Sequence, residues 1–297
     1  MIRKYTGNDF YKVATLLIQS HTFDNLTANL VNEKLDADPD QNPNTRLVYE
    51  ENNEIIGFIL GVTRTIREVK YGFIKLIAVQ QPHRRKGIGK LLYYDVEAQF
   101  KIQGITIVRI YDVPLNYFMP GIDPRYTPAI CWAERLGFKK FGDTPNMDVN
   151  LNQNWDTACE INKLKSQNIV ISRATPNDKE ALFDFVKQEW LLWLFELEMA
   201  YKSNPVSLFI AHKNNEIKAF SAYDGNNKGT GWFGPMGTHP DLRGSGIGSV
   251  LLKLCLNDMK NAGLSTSIIP WVGPHAFYAY HANAHITRVF WRYMKEI

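Results

Sequence analysis

The chain has 297 residues, 45% of them apolar and 22% charged, with a formal net charge of +4. This is the composition of an ordinary globular protein with room for about two domains, and the charge is spread evenly, 19 basic against 17 acidic residues in the first 150 and 15 against 13 in the rest. That balance argues against a nucleic-acid-binding protein, and Cys131, Cys159 and Cys255, odd in number and without a CxxC spacing, argue against a disulfide framework or a zinc site.

No apolar run approaches the roughly eighteen residues needed to span a bilayer, and Met1-Ile2-Arg3-Lys4 leads into no signal-peptide core, so a cytoplasmic protein with no membrane association is expected. Ile2 to Tyr5 reads as a first strand, and Asp9 to Ser20 as a helix with Val13, Leu16 and Leu17 on one face. Phe23 to Leu35 reads as a second helix, ended by the turn cluster Asp38 to Asn44. Strands follow at Arg46 to Tyr49, Ile55 to Val62 and Tyr71 to Val79, the first two joined by the hairpin signal Glu51-Asn52-Asn53. A basic glycine loop and a helix come next, then a strand from Thr106 to Tyr111, an irregular stretch to Thr127 and a helix from Pro128 to Leu136. Asn150 to Asn168 reads as a linker with a short helix around Trp155 to Lys165.

The second half starts again at Ile169, with helices from Asp178 and over Trp190 to Met199, and strands at Leu208 to Ala211 and Ile217 to Tyr223. Its densest stretch is His239-Pro240-Asp241-Leu242-Arg243-Gly244-Ser245-Gly246-Ile247-Gly248, between a strand and an amphipathic helix. Three glycines in five residues let the backbone turn tightly and approach a ligand, and the helix start behind them gathers unpaired N–H groups, which together make an anion cradle. A P-loop is excluded, because no lysine stands directly after Gly248, and a dinucleotide fingerprint fails because Leu251 stands where a small residue is needed. A strand candidate at Ser267 to Trp271 and a strand-like aromatic run from Ile286 to Met294 close the chain.

The loop occurs twice. Arg84-Arg85-Lys86-Gly87-Ile88-Gly89 matches Arg243 to Gly248, and the stripe Ile247, Leu251, Cys255 and Met259 with Gly263 lands on Ile88, Leu92, Val96, Phe100 and Gly104 at one offset of 159 positions, 247 against 88. Ile2 to Asp9 likewise resembles Ile171 to Asp178. The chain therefore reads as an internal duplication: residues 1–150, a linker at 151–168, and residues 169–297.

Arg-x-x-Gly-x-Gly between strand and helix resembles motif A of the GNAT superfamily of N-acetyltransferases, and the doubled loop resembles its tandem-domain members. The resemblance implies an α+β fold of two GNAT-type domains, each a mostly antiparallel mixed sheet flanked by helices. It implies acetyl coenzyme A as co-substrate, no metal, and a pyrophosphate held by Met236, Gly237 and Thr238 with Arg243, Gly244, Ser245, Gly246, Ile247, Gly248 and Ser249. The matching residues of the first copy are Arg84, Arg85, Lys86, Gly87, Ile88, Gly89 and Lys90. A tyrosine early in the helix after the fifth strand commonly protonates the leaving thiolate, and Tyr278 stands at that place, with Tyr280 as a second choice, whereas the first copy has Ala133 there. Catalysis is therefore expected in the second copy.

The wording around Ile269 to Tyr278 and Arg288 to Tyr293 is similar to bacterial tandem proteins that acetylate glucosamine and glucosaminides. An amino-sugar acceptor would suit Trp193, Glu196, Asp224, Trp271 and His275. A coenzyme A sensor without turnover, and an acetyltransferase for protein lysine or antibiotic amines, remain open alternatives.

Overall fold

The computed structural model describes residues 1–297. Its first half runs β1 (Ile2–Lys4), α1 (Phe10–Ser20), α2 (Ala28–Asp36), β2 (Arg46–Glu51), β3 (Glu54–Ile66), β4 (Val69–Val79), α3 (Ile88–Ile102), β5 (Ile107–Ile110), α4 (Thr127–Arg135) and β6 (Lys139–Asn150). The second runs α5 (Ala158–Lys165), β7 (Ile169–Arg173), α6 (Lys179–Glu189), α7 (Leu194–Tyr201), β8 (Leu208–Lys213), β9 (Glu216–Tyr223), β10 (Phe233–Thr238), α8 (Ile247–Asn261), β11 (Thr266–Ile269), α9 (His275–Ala282) and β12 (His285–Glu296). The halves share their local devices. Thr6 with Asp9, and Thr175 with Asp178, form reciprocal capping boxes ahead of α1 and α6. Asn52-Asn53 and Asn214-Asn215 both take positive φ at two consecutive positions, the two-residue hairpin turn that asparagine tolerates.

The first compact unit comprises Met1–Thr144 and Val289–Ile297. Its strands lie in the order β1, β2, β3, β4, β5, β12, β6, with β4 and β5 parallel and the pairs β1/β2, β2/β3, β3/β4 and β5/β12 antiparallel. Ile88, Leu92, Val96 and Phe100 bury one stripe of α3, as their four-residue spacing requires. The returning segment of β12 is fixed by burial of Phe290 and Tyr293, by the Tyr293 hydroxyl donating to Glu134 at 2.9 Å, and by Lys295 on Glu97 at 2.7 Å.

The second unit is Pro145–Arg288. Four antiparallel strands lie in the order β10, β9, β8, β7, and β11 pairs antiparallel with the second half of β6, Thr266 opposite Asn150. The α8 stripe of Ile247, Leu251, Cys255 and Met259 fills one core, and Leu182, Val186, Leu197 and Phe220 form a second between α6, α7 and the sheet.

Four features differ from the sequence reading. Residues 151–168, read as a linker, place Leu151, Trp155 and Leu164 in the core of the second unit, because α5 is amphipathic and packs on α8. The strand β6, absent from the sequence reading, continues past Gly142 and Pro145 because partners distant in sequence supply its pairing. Residues 289–297, assigned by sequence to the second copy, belong to the first unit. The second helix starts at Ala28 rather than Phe23, since the Thr27 hydroxyl caps the Leu30 N–H.

Candidate active site

A splayed pair of parallel strands makes the slot. In the first unit β4 and β5 run in register through Phe73 opposite Arg109, and in the second a parallel bridge joins Trp232 to Ile268, the same two positions displaced by 159. Beyond the bridge, Met236, Gly237 and Thr238 pair with Ser221, Phe220 and Ala219 of β9, and β10 is the outermost strand of its sheet. The backbone polar groups of β10 on the far side are thus free to meet a ligand that lies along the strand.

The glycine loop closes one end. Gly244 and Gly246 take φ of +79° and +92°, and a Cβ on either would meet no atom within 4 Å. Gly246 is the N-cap of α8 without a side-chain cap, so the first N–H groups of a fifteen-residue helix point outward unclaimed by a capping side chain. Arg243 Nε donates to the Thr238 carbonyl at 3.3 Å, and Ser245 Oγ donates to the Leu242 carbonyl at 2.6 Å, which pins the loop between strand and helix. The first copy repeats this pinning, Arg84 Nε on the Val79 carbonyl at 2.9 Å, and Gly87 caps α3 at φ +85°. Arg85, at φ +65°, takes the left-handed position that Gly244 holds in the second copy. The cradle of the second copy has room for a diphosphate, since Gly244 and Gly246 place no Cβ in it and the helix start is positive.

Tyr278 lies in α9, 8% exposed. Its ring packs edge-on against Phe233 of β10 at 6.0 Å and against Phe277 at 5.1 Å. Phe277 and the Met236 methyl both reach within 3.4 Å of where a Cβ on Gly248 would stand, so α9, the start of α8 and β10 converge there. Burial alone pushes the Tyr278 hydroxyl up to about 12, with no charged neighbour contributing. Tyr280, by contrast, is 84% exposed.

The first unit fills its own slot. Trp132 takes the place of Phe277, its Nε1 3.2 Å from a Cβ built on Gly89, and Ala133 is buried beside it. Tyr111, at φ +64°, turns its side chain back over β4, where its hydroxyl faces the Ile77 backbone and lies 3.2 Å from His21 Nε2. Burial raises the Tyr111 hydroxyl and lowers His21, so both stay neutral at physiological pH. Ile77 corresponds to Met236, and Tyr111 to Pro270, which has no hydroxyl with which to do the same.

The expected acceptor residues separate into two groups. Glu196, 7% exposed, abuts Gly225, whose missing side chain lets the Glu196 carbonyl come within 2.5 Å of the Cβ position. Next to it the Asp224 N–H donates to the Trp232 carbonyl, one residue before the Phe233 ring that meets Tyr278, and the Asp224 carboxylate accepts from the Gly229 N–H at 3.0 Å. Trp193 instead stacks on Trp190 at 5.5 Å and 12°, over Phe220, and serves the α6/α7 core. Trp271 is half-buried, its backbone N–H donating to Asn146 Oδ1 at 3.0 Å, and His275 is exposed at the start of α9. Sequence reasoning missed Trp190, which lies against Gly237, and the buried pair Asn226 and Asn227, although the polar run after Asp224 marks them. No group of three or more His, Cys, Asp or Glu side chains is placed to hold a metal ion, and no helix is long and apolar enough to cross a membrane.

These features are those of a GNAT fold in two copies. The model of the acetyltransferase (GNAT) family matches residues 12–117 and 172–282, and the chain belongs to that family, as a tandem-domain N-acetyltransferase. Among solved structures, it is similar over 99% of its length to a GCN5-related glucosamine N-acetyltransferase region of a fungal multi-domain beta-N-acetylglucosaminidase, at 17% identity and a TM-score of 0.81. The chain spans 38% of that larger protein. A GCN5-related N-acetyltransferase from Sphaerobacter thermophilus (17% identity, TM-score 0.70, all of this chain and 95% of that one) shares the fold. So does a tandem GNAT protein from the clavulanic acid biosynthesis pathway (12% identity, TM-score 0.69, all of this chain and 98% of that one). Comparison with curated proteins finds no match.

Proposed function

We propose that the second unit moves the acetyl group of acetyl coenzyme A to a primary amine of a small molecule, and that the acceptor is an amino sugar, glucosamine or a glucosaminide. The observation that carries this reading is the contrast between the two slots: Tyr111 covers the β4 edge in the first unit, whereas Met236 to Thr238 keep an open edge with a glycine loop at one end and Tyr278 against the strand.

In this reading the N–H groups of residues 247–249 and the left-handed loop hold the pyrophosphate, and the free edge of β10 aligns the thioester. The acceptor amine arrives neutral and attacks the carbonyl carbon. As the C–S bond breaks, the thiolate takes a proton from the Tyr278 hydroxyl, the new ammonium loses one to water, and solvent restores the tyrosine. Glu196 and Asp224, close along the chain of contacts to Trp232 and Phe233, supply acids for the sugar hydroxyls and amine. The amino-sugar class also agrees with the name of the fungal region whose fold this chain shares.

Release of coenzyme A thiol is to be measured with glucosamine, a methyl glucosaminide, a lysine peptide and an aminoglycoside. Fastest turnover on the first two is expected. Preference for the peptide overturns the acceptor class, and no thiol release with any amine overturns the enzyme reading.

A further inference from the structure

A second recess lies in the first unit, among the start of α1, the exposed face of α2 and the start of β2, and takes no residue from either glycine loop. Its volume is about 490 Å³, in the range of small-molecule sites. The floor is Arg46, 9% exposed, which lies 5.3 Å over the Tyr5 ring and donates through Nη2 to the Leu35 carbonyl and, at 2.7 Å, to Gln41 Oε1. Its other terminal nitrogen, Nη1, stands 3.6 Å from Asp36 Oδ1, too far for a hydrogen bond. A donor and an acceptor are therefore set side by side at the recess without satisfying each other.

One hydroxyl group can serve both at once, accepting from Arg46 and donating to Asp36. A carboxylate or phosphate there meets the Asp36 charge, and an ammonium meets Arg46, so the pair selects against either sign of charge. The Tyr5 hydroxyl, half-buried, is raised by that burial and then by the Asp36 charge, so it stays protonated as a further donor. The lining also carries aromatic rings. Phe10 and Tyr11 meet edge-on at 5.4 Å, and Tyr11 is 80% exposed, an aromatic face left in water at the rim of a cavity.

We propose that this recess is a carbohydrate-binding site for one neutral pyranose unit, the ring's C–H face on Tyr11 and its hydroxyls on Arg46 and Asp36, with Gln41 holding Arg46 in place through its own amide. The site is separate from the acetyl-transfer slot and does not depend on that activity.

The test is saturation-transfer NMR and titration on the full chain, with methyl glucoside and N-acetylglucosamine as neutral probes and glucosamine and glucuronate as charged ones. Saturable binding of a neutral probe is expected, weakened about tenfold or more, some 1.4 kcal/mol, by Tyr11→Ala and by Asp36→Asn. Both residues are exposed enough to replace without unfolding the chain, and thiol release with an amine acceptor should be unchanged in Tyr11→Ala. Binding that survives both substitutions undiminished, stronger binding of both charged probes, or no saturable binding of any neutral probe overturns the proposal. A sugar bound only at the acceptor slot appears as the first of these outcomes, which separates failure here from failure of the acetyl-transfer reading.

Discussion

The Tyr111 side chain, turned back by φ +64°, brings its hydroxyl to the backbone of Ile77, and so lies in the first unit along the strand edge that Met236 leaves free in the second. One acetyl coenzyme A per chain is therefore expected by titration calorimetry. Gly246→Ala adds a side chain at φ +92°, costing about 1–2 kcal/mol in backbone conformation and crowding the cradle, and should abolish binding in a protein that still melts cooperatively. Gly87→Ala should carry the same strain and leave turnover intact. Two equivalents bound, or turnover lost through Gly87 alone, would mean that Tyr111 yields to the donor.

Replacing Tyr278 by Phe keeps the ring against Phe233 and removes only the proton. The expected result is a fall in kcat of about 10²–10⁴-fold with little change in the Michaelis constant for acetyl coenzyme A. A variant that keeps most of its kcat rules out the acid role.

The pH profile follows from the same burial. A donor with its hydroxyl pushed up to about 12 stays protonated through the alkaline range, so the rate should rise as the acceptor amine deprotonates and then hold level to about pH 10. A descending limb centred near pH 8 or 9 would assign the proton to another group.

Asp9 supplies a pH-dependent element of stability. The paired hydrogen bonds from Arg3, at 2.7 and 2.8 Å, hold its carboxyl at about 2 against an ordinary value near 4. The folded value lies below the unfolded one, so the stabilisation is complete above about pH 4 and is lost as pH falls through 2. With Arg3 one third exposed, about 1 kcal/mol is expected. Asp9→Asn, which keeps the acceptor for the Thr6 N–H, should lower the denaturation midpoint at pH 7 and match the parent chain near pH 2. An equal gap at both pH values would show that the charge is not what matters.

The returning strand can be tested by burial. Phe290 and Tyr293 are each 1% exposed in the core of the first unit, and Phe290→Ala should cost about 3–5 kcal/mol. Hydrogen exchange should show the loss in β5 and α3 with β8 and β9 still protected. Uniform loss across both units would contradict it.

The duplication was legible because it rests on local physics: helical stripes, a glycine at a helix start, and asparagine pairs at hairpins. The glycine loops and Tyr278 are brought to the site by those same elements. What escaped depends on distant partners. β6 carries Gly142 and Pro145 inside its span and acquires its strand character from β11, more than a hundred residues away. The α2 boundary turned on one threonine cap. Tyr111 could have been suspected from its alignment with Pro270, but only the fold shows that its ring turns back over Ile77.

The assignment of residues 289–297 to the first unit also dictates an order of events on the ribosome. Residues 145–288 are one contiguous stretch, whereas the earlier-made first unit must wait, its sheet short of a strand, until β12 has been translated. Domains ordinarily fold from the N-terminus onward during synthesis. Here the two units are completed within nine residues of each other, 288 against 297, and it is the first-made sheet that keeps the edge of β5 unpaired through most of synthesis.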